Sequence, residues 1–134
     1  MAYITVTKAS VRPLNGAAIR RFDAGGKVYA GDVVYLASDG DVEEVSAGVI
    51  GKAWPVGIVV GCPEGATSAT SGDAVDVVTN GPVTGFSSMT PGALHYAGDS
   101  AGRLSDTAGT KSAIVGFAEA AATLFVRPEI ISLS

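Results

Sequence analysis

Glycine or proline interrupts this chain every several residues, and that punctuation limits what it can fold into more than any other feature. Eighteen glycines and six prolines fall within 134 residues, leaving little room for a helix of three turns. Between them lie short β-branched or alternating segments: Tyr3 to Thr7, Val33 to Ala37, Val56 to Val60, Ala74 to Thr79, Ile114 to Ala118 and Thr123 to Val126. Polar and apolar residues alternate in Ala74-Val75-Asp76-Val77, the pattern of a strand with one face inward and one outward. Turn signals separate the segments at Asn15-Gly16, Gly25-Gly26, Asp39-Gly40, Asn80-Gly81-Pro82 and Pro91-Gly92. Gly16 to Phe22 and Ala118 to Ala122 carry helix formers and are the two candidates for short helices. Pro63 to Asp73 is small and polar and reads as a mobile surface connection. Many short strands with close turns predict an all-β domain, a small barrel or a sandwich.

A weak internal repeat refines that expectation. Gly31-Asp32-Val33-Val34-Tyr35 recurs as Gly92-Ala93-Leu94-His95-Tyr96. A glycine with an apolar residue two positions on follows each copy, Gly40-Asp41-Val42 and then Gly102-Arg103-Leu104. Val56-Gly57-Ile58 is answered by Val115-Gly116-Phe117, and Val75-Asp76-Val77 by Leu124-Phe125-Val126. Order is kept while loop lengths differ, as expected of two similar halves that each supply part of one sheet. At period two, Val33 and Tyr35, like Leu94 and Tyr96, share a face and are expected to point into the core. His95, between them, is expected to face outward.

The length fits one domain with a core of its own. The chain is 47% hydrophobic and 16% charged, below the usual ~25% charged. So apolar a surface favours contact with other subunits, since the cores of interfaces are depleted in charge. No apolar run is long enough to span a bilayer. The net charge of −4, with no basic cluster larger than Arg20-Arg21, argues against nucleic acid as a partner. The N-terminus lacks the regions of a signal peptide, which fits synthesis in a cytoplasm.

Catalysis needs a positioned base, a nucleophile or a metal. One histidine and one cysteine, His95 and Cys62, cannot assemble a zinc site of the common kind or a thiol–imidazole pair. Ser87-Ser88 does not sit in a nucleophile elbow, and neither GxGxxG nor a P-loop occurs. Asp39-Gly40-Asp41-Val42-Glu43-Glu44 has its glycine misplaced for an EF-hand and reads as a hairpin turn with a solvated strand. The residues thus predict no enzyme, no cofactor and no metal.

The order of Val11-Arg12-Pro13-Leu14-Asn15-Gly16-Ala17, Ala24 to Val34, Val56-Gly57-Ile58, Gly72 to Val77, Pro91 to Tyr96 and Val115-Gly116-Phe117 resembles that of the capsid cement, or head decoration, proteins of tailed bacteriophages. Related domains at the base of some head fibres share it. The resemblance covers Val11 to the C-terminus and rests on glycines and aliphatics in order rather than on a sharp motif. It implies a small β-barrel or "tulip" fold, here of two pseudo-repeated halves after an extended N-terminal segment. Residues 1–15 would form an arm or edge strand and residues 16–134 a single barrel. It also implies attachment to the outer surface of an expanded head, with the major capsid protein as partner and a homotrimer as the favoured assembly. Such a protein is made in the host cytoplasm and ends on the virion, away from nucleic acid and membrane.

Within that reading Tyr3, Ile4, Val6, Arg12, Leu14, Arg20, Arg21 and Trp54 are the candidates for the capsid or oligomer interface. The strand-like N-terminus suits addition to a sheet edge, or else is simply a barrel strand. The arginines suit acidic partners. Trp54 suits a core plug or an interface anchor equally. The competing reading is a ligand- or carbohydrate-binding β-barrel module on a virion surface.

Overall fold

The computed structural model describes residues 3–49 and 51–132. Short strands follow the glycine and proline punctuation: β1 (Thr5–Val6), β2 (Arg12–Pro13), β3 (Ala18–Asp23), β4 (Val28–Tyr29), β5 (Val33–Leu36), β6 (Val42–Glu44), β7 (Gly57–Gly61), β8 (Ser68–Ala69), β9 (Ala74–Thr84), β10 (Phe86–Ser87), β11 (Leu94–Ala97), β12 (Leu104–Ser105), β13 (Ser112–Ala118) and β14 (Thr123–Ser132). The only helical elements among the described residues are single 3-10 turns at Lys8–Ser10 and Pro63–Gly65. The protein is all-β, as expected.

The two stretches named as candidates for short helices are not helical. Gly16 to Phe22 contributes most of β3, whose register against β9 runs from Ala18↔Asn80 to Asp23↔Ala74. Ala118 to Ala122 forms the end of β13 and the turn into β14. Pairing with a neighbouring strand outweighs a helix propensity spread over so few residues. The polar stretch Pro63 to Asp73 is also more ordered than its composition suggests. It holds β8, which pairs with β4, and it buries Ala69.

The main sheet runs in the order β12-β11-β13-β14-β9-β7-β5-β6, with β2 and β3 also paired to β9. That order reads the same from both ends: β5, β6 and β7 correspond to β11, β12 and β13, and β9 meets its counterpart β14 at the centre. The hydrogen bonds repeat too. Gly31 N donates to Val59 O at 2.8 Å and Gly92 N to Ala118 O at 2.7 Å; Val59 N donates to Asp32 O, and Ala118 N to Ala93 O, both at 3.0 Å. The register row Val33↔Ile58↔Val78 in the first half matches Leu94↔Phe117↔Phe125 in the second. The pseudo-repeat is therefore a repeat of topology and register, but its last correspondence shifts by two residues: Phe125 answers Val78 rather than Asp76.

The halves differ in what covers them. In the first, β3 flanks β9, and its end meets β6 through the Ala24↔Val42 bridge, closing a small barrel. Ala24, Val28, Val34, Val42, Val59, Ala69, Val75 and Val77 fill that barrel. The larger core lies between the outside of this barrel and the second half. Val33, Ile58 and Val78 supply one side of it, and Ala97, Leu104, Ala113, Val115, Leu124 and Val126 the other.

The change of face occurs inside β9. Val75 and Val77 belong to the barrel core, while Val78 and Val83 both belong to the larger one. Strict alternation would put Val83 with Val77. The expected turn at Asn80-Gly81-Pro82 is instead a kink within a continuous strand, with Gly81 at φ +118° and a register shift opposite, between Ala18 and Ile19. A glycine tolerates this backbone, and a bulge re-aims the side chains that follow it.

That switch inverts two expectations. His95 faces inward and is buried, its Nδ1 3.1 Å from Ala93 O, whereas Leu94 is 45% exposed and Tyr96 half-buried. The alternation of β11 was read correctly, but the inward face of the second half is the opposite one. Of the segment expected as an arm or an edge strand, the described residues 3–15 pair as strands of the body, and residues 1–2 lie outside the described residues. β1 pairs with β10, β2 pairs with β9, and Ile4 and Val11 are buried in the larger core.

Candidate functional site

The outward face of the second half carries an apolar row that this packing leaves partly exposed. Across β11, β13, β14 and β9 it presents Leu94, Phe117, Phe125 and Pro82 in direct register. The rings of Phe117 and Phe125 stack with centroids 5.2 Å apart and planes 17° apart. All four side chains reach solvent, whereas their first-half counterparts Val33, Ile58 and Val78 are fully buried. Leu14 adjoins the row, its backbone N–H donating to Pro82 O at 2.9 Å, and its side chain is half-buried. One step along the strands a polar row runs parallel: Glu119, Thr123, Thr84, Arg12. Its two ends carry opposite charge.

On the first half, Trp54 is the most exposed large apolar residue, at 66%. Ala53 and Pro55 on either side are buried, so the backbone is anchored while the indole is held out. This settles its position: it is not a core plug. Ile19, Leu36 and Val49 are also exposed.

A third feature is a cavity of about 420 Å³ lined by the N-terminal strand, the β4–β5 turn and the loop before β12. Asp32 and Glu44 meet in it. Asp32 is buried, and its Oδ2 accepts from Tyr29 N at 2.9 Å. Burial first, then the hydrogen bond with Glu44, pushes the Asp32 carboxyl up to about 8, against the opposing effects of the Tyr29 N–H and Lys8. Gly102 closes over the pair at φ +72°, where a Cβ would come 2.8 Å from Glu44 Oε2. At the rim Lys8 Nζ lies 4.1 Å from the Tyr29 ring centre, and the Arg103 guanidinium 4.9 Å from that of Tyr3.

The candidates read from the sequence are scattered over these features. Ile4 is buried, Val6 is half-buried against the larger core, and Tyr3 is half-buried with its hydroxyl accepting from Ser100 N at 3.2 Å. Arg12 and Leu14 border the exposed row of the second half. Arg20 and Arg21 lie exposed on β3, where Arg21 Nε donates to Asp76 Oδ1 at 3.1 Å. Leu94, Phe117, Phe125 and Glu119 were missed; their signal was the repeat, which aligns Phe117 with a core isoleucine. Cys62 is half-buried, and burial pushes its thiol up, away from the reactive thiolate.

These features define a small all-β module of two like halves, one closed around its own core and one with an uncovered apolar face. No known family model matches the chain, and no curated protein matches it.

Proposed function

We propose that the protein is a non-enzymatic docking module that, in keeping with the resemblance of its sequence, decorates the outside of an expanded phage head. The observation that carries the docking reading is Trp54, an indole 66% exposed between two buried neighbours. An exposed, backbone-anchored tryptophan is an expensive surface residue unless a partner covers it, and tryptophan is the residue type most enriched at interface hot spots. Each subunit would bridge neighbouring major capsid proteins. Contacts of ordinary size, ~800 Å² per partner, become effectively permanent when an oligomer engages several at once.

Co-sedimentation of the purified chain with expanded heads that lack it, followed by heating of those heads, tests this. The expected result is saturable binding and delayed rupture, both lost in Trp54→Ala. No binding by a folded chain to intact heads would end the head reading. The cavity beside Asp32 favours the second reading, a ligand- or carbohydrate-binding module, and a glycan array tests it directly.

A further inference from the structure

The row Leu94–Phe117–Phe125–Pro82 has a counterpart that shows what such a row ordinarily does. In the first half the matching residues Val33, Ile58 and Val78 are fully buried, because the second half packs over them. In the second half, among the described residues, the row reaches solvent: Leu94 is 45% exposed, and Phe117, Phe125 and Pro82 are half-buried. A second subunit is a candidate for that cover.

The flanking row indicates what that cover is. Glu119, Thr123, Thr84 and Arg12 lie in register on β13 and its turn, β14, β9 and β2. A two-fold axis parallel to the strands and passing between β14 and β9 exchanges the ends of this row. Glu119 of one subunit then faces Arg12 of the other, twice. The same axis sets Phe125 against the other subunit's Pro82, and Phe117 against its Leu14. Apolar meets apolar and acid meets base only because the two ends of one row carry opposite charge. We propose that this face binds a second copy of the chain, sheet against sheet, about that axis. Aligned packing at a small angle is the ordinary way for two such faces to meet.

The area sets the strength. With strands ~4.8 Å apart and ~3.4 Å per residue, five strands by five residues cover about 410 Å². That is well under the ~800 Å² per partner of a standard interface, so the pair exchanges readily with monomer. The proposal does not rest on head binding, since it needs only the purified chain.

Sedimentation equilibrium from about 10 μM to 1 mM, a range that brackets weak association, tests it. A monomer–dimer equilibrium is expected. Arg12→Glu and Glu119→Arg should each weaken it by about tenfold or more, and the double variant should restore it. Both positions are exposed, so the swaps leave the fold intact; circular dichroism checks this. Phe117→Ser should also abolish dimerisation. A chain that stays monomeric, a trimer, or a dimer indifferent to the charge swaps would each overturn the proposal.

Discussion

Asp32, a carboxyl buried beside a second carboxyl, Glu44, hydrogen-bonds to that neighbour only while the pair holds a proton. Its value rises from 3.8 to about 8 on folding. Below the lower value both folded and unfolded chains carry the proton, and the contact has its full strength. Between the two values only the folded chain retains it, so stability falls as pH rises, by at most about 1.4 kcal/mol per pH unit, and levels off above the upper value. Urea unfolding at acid, neutral and alkaline pH should show that decline. Asp32→Asn keeps a donor for Glu44 and an acceptor for Tyr29, so it should flatten the profile and raise stability at alkaline pH. An unchanged slope in the variant would assign the pH dependence to other groups. Trp54 makes the opposite prediction. At 66% exposure, Trp54→Ala should shift the stability of the isolated chain by no more than about 0.5 kcal/mol, as at other surface sites; thermal melts would reveal a larger structural role.

At the scale of elements, the matching glycines of β7 and β13 do the same work. A Cβ added at Gly57 would fall on the carbonyl oxygen of Val78, and one at Gly116 on that of Phe125. Each strand lies too close to its neighbour for any side chain there, so Gly57→Ala and Gly116→Ala should each cost about 2–3 kcal/mol by overpacking. Chemical denaturation of both variants checks this, and unequal losses would mean that the two halves only look alike. These glycines were visible in the sequence as Val56-Gly57-Ile58 and Val115-Gly116-Phe117, and so were the strand centres and the Asp39-Gly40 hairpin. The facing of β11 was not. Alternation tells which residues of a strand share a face, but which face is buried depends on a kink three strands away, in β9. Nothing in Gly92 to Tyr96 encodes that kink. The apolar row was hidden for the same reason. Leu94, Phe117, Phe125 and Pro82 are far apart in sequence and become neighbours only through register. The short helix propensities in Gly16 to Phe22 give no helix because long-range pairing with β9 outweighs them.

At the scale of the molecule, the question is whether two like halves behave as two units. The barrel of the first half has a core of its own, which would favour independence. Against that, the larger core takes residues from both halves, and β9 pairs with β14 along Thr84 to Gly81 while also pairing with β7 and β3. Stripped of the second half, Val33, Ile58 and Val78 would face water, at roughly 1.5–3 kcal/mol for each fully buried aliphatic side chain. A loss of that size, repeated over the shared core, is comparable with the whole stability of a domain this small. The halves should therefore open together. Native-state hydrogen exchange tests this at β7 and β13, where the most protected amides should report one common opening free energy. Gly116→Ala gives the sharper version. It strains only the second half, yet it should lower the protection of β7 by as much as that of β13. If β7 kept its protection while β13 lost it, the closed barrel would be a unit that folds first, and the second half would be an appendage packed onto its outer wall.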